Sequence, residues 1–143
     1  MYQFREAAKI LGVDKPSHRF VSDVQYLTLI DKGLPIKCLD VISNTICPAD
    51  HSFKYRIVSK ATVARRKIRQ RLSPAQSVVV TRLASIWDIA LRIWKSPEQT
   101  RDFLYRPHPL LEGRRPIDIV LENEIGAELV KDVLGRLENG SAV

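Results

Sequence analysis

Cysteine is scarce in this chain: of its 143 residues only Cys38 and Cys47 carry a thiol. Two are too few for a disulfide framework, so both are expected as buried free thiols on a helix. Long apolar runs are missing as well. The longest, such as Val78-Val79-Val80, falls far short of the roughly 20 residues a membrane-spanning helix needs. The start, Met1-Tyr2-Gln3-Phe4-Arg5-Glu6, has a charge pair and no apolar signal core, which gives the expectation of a protein that is not exported and stays in the cytoplasm. Phosphate-binding and nucleophile signatures are absent, with no GxSxG, no GxxxxGK[ST] and no GxGxxG. No CxxC or HxxxH pair occurs, Cys38 and Cys47 are nine positions apart, and His18, His51 and His108 are scattered. No metal and no cofactor is therefore expected. A triad drawn from Ser85, His108 and Asp118 could be assembled from any chain of this size. Asp118 and Glu122 are read as helix-cap and surface residues. No catalytic residue is assigned, and the expectation is a protein that is not an enzyme.

The absence with the most to say concerns acids. No Asp or Glu occurs between Asp50 and Asp88, whereas that interval contains Lys54, Arg56, Lys60, Arg65, Arg66, Lys67, Arg69, Arg71 and Arg82. Residues 1–71 hold 14 Lys/Arg against 6 Asp/Glu, net +8, and residues 72–143 hold 9 against 10, net −1. A field of one sign repels itself, and a polyanion relieves it by releasing counterions. The chain reads as two regions: a basic one, 1–71, suited to nucleic acid, and a neutral one, 72–143. No acidic, collagenous or low-complexity bias accompanies them, and 45% hydrophobic residues suffice for a packed core.

Helix signals run the length of the chain. A short stretch, Phe4 to Leu11, ends at Gly12 and Pro16. Ser22 can cap Asp23 to Lys32, with Gly33 as its stop. Pro35 suits the first turn of a helix Ile36 to Ile46. Asp50 is placed to cap a short helix through Ile57, and Ser59 opens a basic helix through Arg69. Those last two, joined by a short turn, make a helix-turn-helix. Ser73-Pro74 starts a long helix through Lys95 whose apolar arc is wide enough for contact from two sides. Ser96-Pro97 starts another through Tyr105, with Gln99 placed to complete a capping box. The prolines and glycine between Arg106 and Pro116 forbid a helix and make a defined loop. Pro116 can open a short helix, Ile117 to Leu121. A last amphipathic helix, Glu124 to Leu137, shows Ile125, Leu129, Val133 and Leu137 at helical spacing and stops near Gly140. The fold class is all-α.

Two places invite partners. On the basic helix, Ala61, Ala64 and Ile68 can face inward, with Ser59, Thr62, Arg66 and Arg69 outward. Val63 fits the opposite rotation, which turns Ala61, Ala64 and Arg65 out, and the periodicity leaves both open. Lys60, Thr62, Arg65, Arg66 and Arg69 are the candidate DNA contacts. In the loop, Arg114 and Arg115 stand between Gly113 and Pro116 on stiffened backbone, a placement that suits recognition as well as it suits an ordinary connection.

The residues from Ser59 to Gly140 resemble the Xre/ParS/MbcA antitoxins of type II toxin-antitoxin systems. The resemblance is carried by Ser59-Lys60-Ala61-Thr62-Val63-Ala64-Arg65-Arg66, by Arg71-Leu72-Ser73-Pro74, and by the run Phe103 to Asp118 with its Pro107, Gly113-Arg114-Arg115-Pro116 loop. Gly126-Ala127-Glu128-Leu129-Val130 and Leu134 to Gly140 complete it. It covers about 80 of the 143 residues in order, and residues 22–58 resemble the family's Xre-like helix-turn-helix loosely. Phe103 stands where the family usually has tryptophan, His108 where it often has asparagine, and Ile119-Val120 where it has leucines. The resemblance implies an N-terminal Xre-like helix-turn-helix in 1–71 that binds its own operator. It also implies a small C-terminal helical domain in 72–143 that grips a cognate RES-type, NAD-degrading toxin and occludes its active site. The partners are then the toxin, operator DNA and further copies in a homodimer or larger hetero-oligomer. Arg114, Arg115, Arg136, Glu138 and Asn139, in the loop and near the terminus, are the candidate toxin contacts. The alternative is a stand-alone regulator whose C-terminal half serves dimerisation.

Overall fold

The computed structural model describes residues 3–17, 19–20, 22–65 and 70–140. Among these the regular elements are all helices, and Pro35–Arg71 and His108–Arg114 form isolated bridges. In order they are α1 (Arg5–Ile10), α2 (Asp23–Lys32), α3 (Lys37–Ile46), a 3-10 turn (Phe53–Arg56), α4 (Lys60–Arg65) and α5 (Pro74–Trp94). Then come α6 (Pro97–Tyr105), a second 3-10 turn (Pro109–Leu111), α7 (Pro116–Glu122) and α8 (Glu124–Glu138). No described helix is long and apolar enough to cross a membrane. The chain divides into two compact units, Met1–Ser85 and Ile86–Val143, the division falling within α5.

Side-chain caps set most helix starts. Ser22 Oγ accepts from the Gln25 N–H at 3.2 Å, and Asn123 Oδ1 from the Gly126 N–H at 3.0 Å. At α5 the capping is reciprocal: Ser73 Oγ accepts from Gln76 N–H, and Gln76 Oε1 accepts from Ser73 N–H. The box expected at Ser96 closes only halfway. Its hydroxyl accepts from Gln99 N–H but donates to Glu98 Oε2 at 3.0 Å, so the cap residue's side-chain partner is the charged Glu98 rather than Gln99.

In the first unit, α1, α2, α3 and the start of α5 enclose Leu11, Tyr26, Leu34, Leu39, Ile42, Ile46 and Val80. Two buried polar links tie α5 into this core. The Tyr26 hydroxyl meets Thr81 Oγ1 at 2.6 Å, and Ser77 Oγ accepts from Leu34 N–H at 2.8 Å. Gly33 is required where α2 stops: its φ is +93°, and a Cβ there would run into the Leu72 carbonyl. That close approach lets the strand-like bridge form, with Leu72 N–H donating to Leu34 O at 2.8 Å.

The helix expected from Asp50 to Ile57 is instead the single 3-10 turn Phe53–Arg56. Asp50 does not cap it. Its carboxylate takes the Ser52 N–H at 2.9 Å and the Ser52 hydroxyl, closing a local turn that competes with helix initiation.

In the second unit, Ile86, Trp87 and Ala90 of α5 are buried, as are Leu104, Ile117, Val120, Val130 and Leu134. Here the expected apolar face of α8 needs correction. Ile125 is 71% and Leu129 51% exposed, and the buried face is Gly126, Ala127, Val130, Val133 and Leu134. The cause is close packing. A Cβ on Gly126 would run into the Ile119 carbonyl, so α8 lies against α7 on its small residues and the larger Ile125 and Leu129 turn out.

Candidate functional site

The loop from Arg106 to Arg115 is closed by backbone hydrogen bonds. His108 N–H donates to Arg114 O at 3.1 Å, Gly113 N–H to His108 O at 3.0 Å, and Arg114 N–H to Leu111 O at 3.0 Å. Two consecutive left-handed residues, Glu112 at φ 55° and Gly113 at φ +80°, reverse the chain. His108 Nδ1 accepts from Leu110 N–H at 3.1 Å, which caps the 3-10 turn and fixes the imidazole. Its ring meets Phe103 edge-on at 6.1 Å, and Phe103 stacks on Trp94 at 4.7 Å. His108 thus organises the loop.

Both loop arginines are engaged by carboxylates of α7. Arg114 reaches Glu122 with N···O distances of 2.9 and 3.4 Å, and Arg115 reaches Asp118 at 2.8 and 3.0 Å. Arg115 also lies over the Tyr105 ring at 5.4 Å. Each carboxylate pushes its guanidinium pKa up. The pairs leave both arginines well exposed, with side-chain exposures of 49% and 42%. They therefore hold the guanidinium planes in place for a partner instead of leaving them to sample many rotamers.

Loop and α8 together form a groove of about 340 Å³. It is lined by Leu110, Leu111, Glu112, Arg114, Ile119, Leu129, Asp132, Val133 and Arg136. Arg136 Nε stands 3.3 Å from Asp132. Of the sequence-derived contacts, the structure brings Arg114 and Arg136 to this one groove. Arg115 stands beside Arg114 on its own carboxylate, and Glu138 and Asn139 lie at the exposed end of α8 outside the lining. Sequence reasoning missed the apolar members. Leu110 is 42% exposed because the prolines set its 3-10 turn on the surface, and Leu129, which helical spacing puts on one stripe with the buried Val133, is 51% exposed. The apolar strip with fixed charges at its margins suits a protein partner. It offers neither a nucleophile–base pair nor, among the described residues, a cluster of metal ligands.

On the basic side, α4 settles the open rotation: Ala61, Ala64 and Arg65 are exposed while Thr62 and Val63 are half-buried. Thr62 serves locally, its N–H donating to Ser59 Oγ and its Oγ1 accepting from the Ser59 hydroxyl. Lys60 is exposed, with Nζ 5.9 Å from the Tyr55 ring centre. Lys54 pairs with Asp40 of α3 at 3.0 Å, so part of the positive field before α4 is neutralised within the fold. Arg66 and Arg69 lie outside the described residues.

These features define a helical protein whose C-terminal surface is built to hold another protein. Residues 90–140 match the family model described as the antitoxin Xre/MbcA/ParS C-terminal toxin-binding domain, so this part of the chain is similar to a domain that binds a toxin. The matched span contains α6, the loop, α7 and α8, and a domain of this kind acts by binding rather than by turnover. No curated protein matches the chain.

Proposed function

We propose that this chain is an antitoxin that neutralises a RES-type, NAD-degrading toxin by covering its active site, and that it represses its own operon through DNA bound by the N-terminal region. The observation that carries the first part is the toxin-binding domain match over residues 90–140, with the loop–α8 groove inside it. In this reading Leu110 and Leu129 supply the apolar contact, and Arg114, Arg115 and Arg136 supply orientation. Glu138 and Asn139 meet the toxin at the end of α8. Residues 72–143 carry this role and residues 1–71 carry DNA recognition. The complex forms in the cytoplasm as a homodimer or larger toxin–antitoxin assembly. The acid-free, cationic run through α4 supports the second part, with Lys60 and Arg65 exposed for phosphate and Arg66 and Arg69 as further candidate contacts. Thr62 contributes by holding the start of α4.

The test is co-expression with the protein encoded beside it. The wild-type chain is expected to rescue growth and to co-purify with that protein. Substituting Leu129→Asp together with Arg136→Ala is expected to abolish rescue while leaving the helical CD spectrum unchanged. Rescue that survives the double substitution refutes the groove assignment. A chain that binds no neighbour-encoded protein yet self-associates through its C-terminal half would instead be a stand-alone helix-turn-helix regulator.

A further inference from the structure

Two surfaces are complementary in their chemistry, one without a role so far and one that only partly overlaps the groove assigned to the toxin. The first is a cavity of about 430 Å³ in the first unit. Phe20 and Leu29 give it an apolar floor, and Lys15, Lys32, Lys37 and Arg71 surround it, with no Asp or Glu in its lining. The four cations are exposed at the surface. The second is the outward face of α8. Ile125 and Leu129 are one helical turn apart and 71% and 51% exposed, and Glu124, Glu128 and Asp132 flank them. Arg136 at the end of this face is offset by its ion pair with Asp132.

We infer that the basic cavity of one copy receives the acidic, apolar face of α8 from a second copy, in a head-to-tail contact. Duplex DNA suits the cavity less well, because a phosphate backbone has no apolar group to place on Phe20 and Leu29. An α8 face brings both parts: Ile125 and Leu129 for the floor, and carboxylates for the surrounding lysines. Each copy offers one donor face and one acceptor cavity, so two copies that exchange them reciprocally close a dimer, and copies that pass them on build larger rings or open chains. One cavity and two helical turns make an area well below the standard interface. The association is therefore expected to be concentration-dependent, in the micromolar range, and to weaken with salt because the charges lie at the surface. Leu129 also borders the groove assigned to the toxin, so the toxin-free full-length chain is the species to examine.

The experiment is sedimentation velocity of the full chain and of two charge-reversed variants, Lys32→Glu/Lys37→Glu and Glu124→Lys/Glu128→Lys. Wild type is expected to associate. Each variant alone is expected to remain monomeric, because Lys32→Glu/Lys37→Glu leaves its cavity without net charge and Glu124→Lys/Glu128→Lys gives its helix face the sign of the cavity. Mixing the two is expected to restore association, since the unaltered cavity of one meets the unaltered face of the other. A monomeric wild type, reversals without effect, or a mixture that stays monomeric overturns the proposal. So does a Lys32→Glu/Lys37→Glu chain that loses affinity for a DNA duplex but still associates, which assigns the cavity to nucleic acid. Ile125→Ser provides a variant that disturbs no packed side chain; it is expected to weaken association several-fold, and unchanged association counts equally against the contact.

Discussion

At the scale of single residues, two glycines of α8 should behave in opposite ways. Gly126 faces the Ile119 carbonyl with no room for a methyl group, whereas a Cβ on Gly135 would meet nothing within 4 Å. Gly126→Ala is expected to destabilise the protein by about 1–3 kcal/mol, the usual cost of overpacking. Gly135→Ala is expected to stabilise it by about 0.5–1 kcal/mol through helix propensity. Urea midpoints of the two variants measure the contrast, and equal midpoints would contradict the packing described. Buried acids give a second expectation. Burial pushes the Tyr26 phenol up from 10.0 to about 12 and the Cys38 thiol up from 9.0 to about 11. Over that alkaline range the folded chain keeps protons that the unfolded chain has released, so stability falls as pH rises. It is complete below about pH 9 and lost progressively toward pH 12. Each group accounts for at most about 3 kcal/mol. Unfolding followed between neutral pH and pH 11 is expected to show the decline, and a Tyr26→Phe/Cys38→Ala chain is expected to show a shallower one.

At the scale of elements, caps are the cheapest parts to test. Ser73→Ala and Asn123→Ala each remove the side-chain acceptor at a helix start, and each is expected to cost about 1 kcal/mol in denaturant melts. These starts were also the most legible features of the sequence. Ser22, Ser59, Ser73, Ser96 and Pro116 announced their helices because capping chemistry is local, needing only residues three or four apart. The stop of α2 was legible for the same reason, since Gly33 supplies the left-handed backbone. Two elements were misread, and both failed through a competitor that periodicity does not register. At Asp50 the side chain bonded Ser52 and shortened the element to a 3-10 turn. In α8 helical spacing puts Ile125 and Leu129 on one apolar stripe with Val133, although Gly126 and Ala127 permit a closer backbone approach and take the buried place beside Val133. The groove was only half legible as a result. Its arginines were visible as isolated charges on a stiff loop, but its apolar members Leu110 and Leu129 depend on which side of a helix or turn faces outward.

At the scale of the whole molecule, the charge division between residues 1–71 and 72–143 gives the proposed roles different ionic signatures. Operator affinity is expected to fall steeply as salt is raised, with a logarithmic slope of about one unit per phosphate contact. Toxin affinity, resting on an apolar groove whose arginines already have carboxylate partners, is expected to change far less over the same range. Fluorescence anisotropy with labelled duplex and with labelled toxin, each at several salt concentrations, measures both slopes. Parallel slopes would mean that the two partners meet the same kind of surface and would undo the division of roles.

The segment Lys60–Arg65 buries none of its side chains. An element on which the interior does not depend is released from the packing rules that constrain α3 or α8, so its outward residues are free to be rewritten. If α4 reads DNA as proposed, specificity at this position is thereby separated from foldability. Exchanging the exposed Lys60, Ala61, Ala64 and Arg65 for a different polar set should leave the melting temperature nearly unchanged, so the protein is re-addressed to another binding sequence without being rebuilt.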